Sequence, residues 1–281
     1  MTGKLNSHTT LILGGTGKTG RRVAARLEKR GIPVRIGSRF SVPSFDWNDE
    51  ASWGPVLQNV QSAYVTYYPD LAFPGAADAV RTFAKTAVES GVRKLVLLSG
   101  RGEEGARQGE RAVQDSGAEW TIVRSSWFSQ NFSESFLLEP VLGGELVFPA
   151  GNVTEPFIDV EDIADVAAAA FVDNKHAGQI YEVTGPRLLT FADAVAEIGK
   201  ASGHDIRYVP VSAEKYSLAL LEQGLPADLV NPLVGLIATV LDGRNAKLSD
   251  GVQRALGREP RDFAEYARET AATGIWTPAS R

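Results

Sequence analysis

Solid apolar runs and longer amphipathic stretches take turns along the first half of the chain. Thr10, Leu11, Ile12 and Leu13 form one run, Arg21 to Lys29 is polar with an apolar side, and Pro33 to Ile36 is a second run. Short runs bounded by glycine read as buried strands, and amphipathic stretches read as helices. A short strand is expected around Ser44 to Asp46, a helix over Glu50 to Leu57 and a strand over Ser62 to Tyr67. From Gly75 to Ser90, apolar residues recur at Ala76, Val80, Phe83, Ala84, Ala87 and Val88, the stripe of a helix packed on one side. Lys94 to Leu98 is apolar enough for a central parallel strand. A helix from Glu104 to Ser116 and a strand from Glu119 to Arg124 follow. Such alternation predicts an α/β fold, a Rossmann-type parallel sheet with helices on both faces.

Past residue 135 the rhythm changes. Gly143-Gly144 predicts a hairpin-like stretch through Glu145 to Phe148. Phe157 to Val160 enters a helix with a buried stripe at Ile163, Val166, Ala167, Ala170 and Phe171, and Asp159 and Glu161 suit its positive amino end. Gln179 to Thr184 reads as a strand, Thr190 as the cap of a helix with Phe191, Ala194, Val195 and Ile198 inward, and Tyr208 to Val211 as a last strand. The remainder, from Ala213, is expected to be helical and broken at Pro226, Pro232 and Pro260. The organisation expected is a dinucleotide-binding unit over 1–150, joined by the strand at 179–184, and a smaller, mostly helical lobe over 151–281 interleaved with it.

The turn between the first run and the first helix carries the chemistry. Gly14, Gly17 and Gly20 are spaced Gly-x-x-Gly-x-x-Gly, with Thr16, Lys18 and Thr19 between them. Glycine lets a backbone turn sharply and approach a pyrophosphate closely, and the following helix start attracts its charge. Gly17-Lys18-Thr19 also imitates the end of a nucleoside-triphosphate loop, but that loop needs a glycine at position 12, which is Ile12. At the end of the second strand, where NAD enzymes place an acid, stand Ser38 and Arg39. A hydroxyl and a guanidinium hold a 2′-phosphate that a carboxylate would repel, so the expected cofactor is NADP(H). A plain solvated role for Arg39 is the alternative. Asp46 and Trp47 end the expected third strand, where Trp47 serves either the adenine or the core. Tyr68 and Pro69 close the next strand, and Ser99 and Gly100 end the central one, so both pairs join the expected cofactor site. In Ser125 to Phe132, the residues Trp127, Phe128, Asn131 and Phe132, with Tyr68 and Tyr216, are expected to line a substrate pocket; simple core filling is the alternative for the aromatics.

Composition narrows this further. Apolar residues make up 43% of 281, charged residues 22%, and the net charge is −5, ordinary for a soluble protein and unsuited to nucleic acid. The absence of cysteine removes disulfides and thiolate chemistry. Met1 to His8 shows no apolar leader, and runs such as Val166 to Val172 and Leu236 to Leu241 are too short for a bilayer, so the cytoplasm and no membrane partner are expected. His8, His176 and His204 stand apart and read as surface residues, with no metal expected. A homodimer is left open.

These motifs together resemble the NmrA-like, atypical short-chain dehydrogenase/reductase family across nearly the whole chain. The matching pieces are Leu13 to Gly20, Phe45-Asp46-Trp47, Thr121 to Arg124 with Trp127-Phe128 and Asn131-Phe132, Phe157 to Ala164, and Tyr181 to Gly185. Within it the chain is most similar to the ergot-alkaloid reductase branch of festuclavine and agroclavine dehydrogenases, from which Gly20 departs where those are expected to carry serine. Most short-chain dehydrogenases protonate through Tyr-x-x-x-Lys. None of Tyr64, Tyr67, Tyr68, Tyr181, Tyr208, Tyr216 and Tyr266 has a lysine four residues on, and Gly105 to Arg111 stands where relatives place the pair. An iminium carbon is already cationic and needs only well-aimed hydride. The expected function is therefore an NADPH-dependent reductase of an iminium, imine, quinone or similarly activated small molecule, aromatic or cyclic. Tyr68, Ser99, Ser125 and Ser126 are the hydroxyls available as donors. A non-catalytic redox sensor that grips a partner protein, and an isomerase or cyclase retaining the cofactor, are the alternatives.

Overall fold

The computed structural model describes residues 9–277. In chain order the first elements are β1 (Thr9–Leu13), α1 (Lys18–Lys29), β2 (Val34–Gly37), α2 (Trp53–Leu57), β3 (Val60–Val65), α3 (Ala76–Glu89), β4 (Lys94–Gly100), α4 (Glu104–Gln114) and β5 (Glu119–Ser125). After these come α5 (Asn131–Glu134), α6 (Leu138–Leu142), β6 (Glu145–Phe148), β7 (Thr154–Glu155), α7 (Val160–Val172), β8 (Gln179–Val183), β9 (Leu189–Thr190), α8 (Phe191–Ser202) and β10 (Arg207–Pro210). Four helices end the chain: α9 (Ala213–Glu222), α10 (Ala227–Val240), α11 (Gly251–Leu256) and α12 (Phe263–Ala272). Met1 to His8, including the stretch read for a leader and His8 itself, lies outside the described residues.

Six strands form one parallel sheet in the order β2-β1-β3-β4-β5-β8. Successive side chains of a strand point to opposite faces, so a solid apolar run is buried only when both faces are covered. Leu11, Leu13, Ala63, Val65, Leu95 and Leu97 meet α2, α3 and α4 on one face. Ile12, Tyr64, Val96 and Val123 meet α1, α7 and α11 on the other. The doubly covered parallel sheet expected from the alternation is present. A third core, built on Phe132, Phe148, Phe157, Phe191, Phe263 and Trp276, lies among the helices of the C-terminal half.

Four local expectations are corrected. No strand forms over Ser44 to Asp46, where only an Asp46–Asp49 bridge appears. Pro43 lacks a ladder donor, and Ser41 turns the chain by donating its hydroxyl to the Ser38 and Pro43 carbonyls at 2.8 and 2.9 Å. Glu145 to Phe148 is no hairpin: β6 pairs in parallel with distant β10, while the Gly143 and Gly144 amides close α6 on the Glu139 and Val141 carbonyls. Pro232 does not break a helix but lies inside α10, whereas Pro226 caps that helix and Pro260 separates α11 from α12. His176 is no surface residue; it is 1% exposed, with Nδ1 2.8 Å from the Tyr181 hydroxyl. Two capping expectations hold: Asp159 accepts from the Glu161 amide, and Thr190 forms a reciprocal capping box with Asp193.

An ion-pair belt fastens α1 to α7 and to the chain leading into α12. Arg22 and Arg26 of α1 meet Glu161 at 2.5 and 2.6 Å, and Arg26 also meets Asp165 at 2.5 Å. Asp162, fully buried, is held by Arg258 at 2.6 Å and by the Arg261 amide at 2.7 Å.

Candidate cofactor and acceptor site

The carboxyl ends of the parallel strands carry Gly14, Ser38, Ser99, Gly100 and Ser125, at the edge where open α/β sheets take ligands. Gly14 leaves β1 at φ +61°, and its amide donates to the Gly37 carbonyl of β2 at 3.0 Å. A Cβ on Gly20 would lie 2.2 Å from the Gly14 carbonyl oxygen, so only glycine lets α1 start this close to β1. Helix α1 is capped by Gly17 with no side-chain cap and no acid in its first turn. Gly14, Thr16 and Gly17 are exposed, while Thr19 and Gly20 are buried in the helix. Free amides and an unopposed dipole end beside three glycines fit a pyrophosphate.

At the end of β2, Ser38 opens a turn whose carbonyl takes the Phe45 amide at 2.8 Å. Arg39 is exposed and makes no hydrogen bond or ion pair among the described residues. Asp46 uses its carboxylate on the Asn48 amide at 2.9 Å and its carbonyl on the Trp53 indole at 2.8 Å. Trp47 donates its indole N–H to the Thr66 carbonyl at 3.1 Å and packs on Tyr67 and Phe83, centroids 4.9 and 5.4 Å away. It thus braces the end of β3 from within the core cluster. Tyr68 is 77% exposed and Pro69 is exposed beside it.

Lys18 reaches toward α5, its ammonium donating to Asn131 Oδ1 at 2.9 Å and lying 5.9 Å from the centroid of Phe128. Burial lowers its pKa to about 8, against the pull of Glu134. The remaining aromatics divide. Phe132 is fully buried, packed against Phe157, Phe191 and Phe263, and is core rather than wall. Trp127 and Tyr216 are half-buried and converge on Phe148, with centroids 5.8 and 5.4 Å from it. The Trp127 indole N–H is buried with no partner among the described residues, and burial raises the Tyr216 hydroxyl to about 12.

Around the ends of β4, β5 and β8 the hydroxyls are already engaged. Ser99, 2% exposed, shares a 2.6 Å hydrogen bond with Glu110. Ser125 donates to the Ser99 carbonyl at 3.3 Å and Ser126 to the Pro156 carbonyl at 2.6 Å. Glu110 in turn takes two bonds from Arg124 at 2.8 and 2.6 Å, and Arg124 reaches Glu182 at 2.7 Å. Arg101 is turned inward, 3.5 Å from Glu182 and donating to the Asn245 and Lys247 carbonyls. Glu155, 2% exposed, has one carboxyl oxygen without a partner; burial pushes its pKa up to about 7, with Arg101 opposing.

No family model matches the chain. In fold it is similar to the NADPH complex of an NADPH-dependent quinone oxidoreductase from Escherichia coli, at TM-score 0.76 and 22% identity over 93% of this chain and 99% of that one. It is also similar to the transcriptional regulator NmrA in complex with NAD, at TM-score 0.68 and 15% identity over 96% and 99%. In sequence it is 32% identical to the uncharacterized oxidoreductase YesF of Bacillus subtilis over 97% of this chain and 99% of that protein. Agroclavine dehydrogenase of Claviceps fusiformis is 31% identical over 95% and 98%. The chain belongs to the NmrA-like, atypical short-chain dehydrogenase/reductase family.

In this NmrA-like chain, reading the residues alone missed Thr66, Phe148, Glu155 and Glu103. Thr66 donates to the Leu13 carbonyl at 3.1 Å, and its hydroxyl occupies the space a Gly14 side chain would need. Glu103 resembles any acid at a helix start, and only the fold lays its carboxyl against Gly100. No helix among the described residues is long and apolar enough to cross a membrane.

Proposed function

We propose that the chain is an NADPH-dependent reductase that delivers hydride to an iminium, imine or similarly activated small molecule, with the cofactor lying from Ser38 and Arg39 along the Gly14–Gly20 turn to Gly100. The observation that carries this reading is the engagement of Ser99, Ser125 and Ser126 with protein acceptors, on a rim that also lacks a tyrosine–lysine pair. A neutral ketone, which develops charge on oxygen, meets no free serine hydroxyl there, whereas an acceptor carbon that is already electron-poor depends more on distance and angle. Bound nicotinamide supplies the hydride. The protein's part is to seat the phosphates on the uncapped start of α1, to offer Ser38 and Arg39 to a 2′-phosphate, and to exclude water from the acceptor with Trp127 and Tyr216, which pack on the buried Phe148. The aromatic faces also suit a cationic or cyclic acceptor. Membership of a family whose members include agroclavine dehydrogenase and YesF supports oxidoreductase chemistry.

Titration with NADPH and NADH, followed by NADPH consumption against cyclic imines, quinones and simple ketones, tests it. The expected result is tighter binding of NADPH and turnover of imines or quinones. Equal grip on NADH, or turnover confined to ketones, overturns it. Cofactor binding with no consumption for any acceptor favours a redox sensor instead.

A further inference from the structure

With the three serine hydroxyls engaged, one acidic group remains at the end of β4. Glu103 caps α4 directly after the Gly102 turn, and its side chain folds back over the strand end. A Cβ on Gly100 would lie 2.2 Å from the Glu103 carboxyl carbon and both its oxygens, so the missing side chain of Gly100 is what seats the carboxyl on the rim. No donor among the described residues reaches that carboxyl, and part of the residue remains exposed. Facing it are Asp70, from the loop after β3, and Glu110 of α4. The neighbouring cations point elsewhere: Arg124 holds Glu110 and Glu182, and Arg101 holds Glu182 and two carbonyls.

The geometry points to Glu103 as the proton donor of this site, a catalytic residue that allows neutral imines and quinones to be reduced alongside cationic iminium ions. It rests on the reductase reading above. As hydride from the dinucleotide forms the new C–H bond, the π electrons of the C=N or C=O bond move to nitrogen or oxygen, which takes the Glu103 proton. The carboxylate left behind regains its proton from water, and the dinucleotide leaves oxidised. An iminium ion needs no such proton.

The two facing acids divide the roles. Burial raises the Asp70 carboxyl too, but it accepts the Ala72 amide at 2.8 Å, a bond that opposes that rise, whereas Glu103 has no such support. Burial first, then the Asp70 and Glu110 charges, push Glu103 up to about 9, so it keeps its proton at neutral pH.

The test compares one neutral cyclic imine with the N-methylated iminium ion of the same ring, in the unaltered protein and in E103Q. The expected result is a loss of about a hundredfold or more in kcat for the neutral acceptor, with the iminium ion reduced within threefold of the unaltered rate. For the unaltered protein, turnover of the neutral acceptor should fall as pH rises through about 9 while iminium turnover stays level. D70N removes a facing charge and should move that fall to lower pH. Independently of turnover, the infrared difference between the unaltered protein and E103Q should show a protonated carboxyl at pH 7. Equal loss for both acceptors, no loss for either, or an ionised carboxyl at pH 7 overturns the donor and leaves the reductase reading standing. No NADPH consumption by the unaltered protein with any acceptor overturns both.

Discussion

Two strand-to-helix turns on the same sheet edge solve the same geometric problem with opposite chemistry. Between β1 and α1, closure is a matter of backbone: Gly20 lets the helix approach the Gly14 carbonyl, and no acid stands in the first turn. Between β4 and α4, closure is a matter of side chains: Glu103 covers Gly100, and Ser99, Glu110 and Arg124 form a buried chain of charge-assisted bonds beneath. The first turn presents donors to an anion. The second presents carboxyl groups, and its cations are already paired. A shared topology therefore does not make the two rims interchangeable; the residues at the turn decide which half of a dinucleotide and acceptor pair each can face.

The comparison is broken most severely by Arg124→Met. This leaves Glu110 buried without its cation, and loss of one partner of a buried pair costs about 3–5 kcal/mol. Urea denaturation should show it, and a loss below 1 kcal/mol would mean that the side-chain chain does not hold the second turn. Next comes Glu155→Gln. Burial holds the Glu155 carboxyl up to about 7, above its ordinary value of 4.5. Its favourable contribution is complete below pH 4.5 and is lost as pH rises through 7, because the folded state resists ionisation. The glutamine variant should match the unaltered protein at pH 4.5 and exceed it at pH 8 by up to about 3 kcal/mol, as read by thermal denaturation at both pH values. The smallest effect on stability, about 1–3 kcal/mol, is expected from Gly20→Ala, whose methyl must displace the Gly14 carbonyl. Its signature is selective: NADPH affinity should fall tenfold or more while the β4 rim is unchanged, so unaltered affinity by fluorescence titration would count against the backbone account.

The two turns also differ in how far they can be read in advance. The Gly14–Gly20 turn is legible because its meaning is local: strand, glycines and helix lie in one stretch, and apolar period and glycine spacing together predict all three. The β4 turn is not, because Glu103 acquires its character from Asp70, more than thirty positions earlier, and from the bare face of Gly100. The same reasoning separates Phe132 from Trp127. Both are aromatics in one short stretch that meet Phe191, and only Phe157 and Phe263, distant in sequence, close over the former and make it core. Pro43 undid an expected strand through its missing amide, yet Phe45 and Trp47 still pack inward as that strand would have placed them. Pro232 shows the converse, since the apolar stripe of Val230, Val234 and Ile237 carries α10 through a residue that removes one hydrogen bond.

The bond from Lys18 to Asn131 ties the start of α1 to α5, beyond the end of β5. A phosphate arriving at the start of α1 competes for that ammonium, and the amide it releases belongs to the loop carrying Trp127 and Phe128. Filling the first berth would therefore free the second to move before its occupant arrives. The consequence is a fixed order of events, dinucleotide first and acceptor after, with departures reversed, and product-inhibition patterns that fit random entry would exclude it.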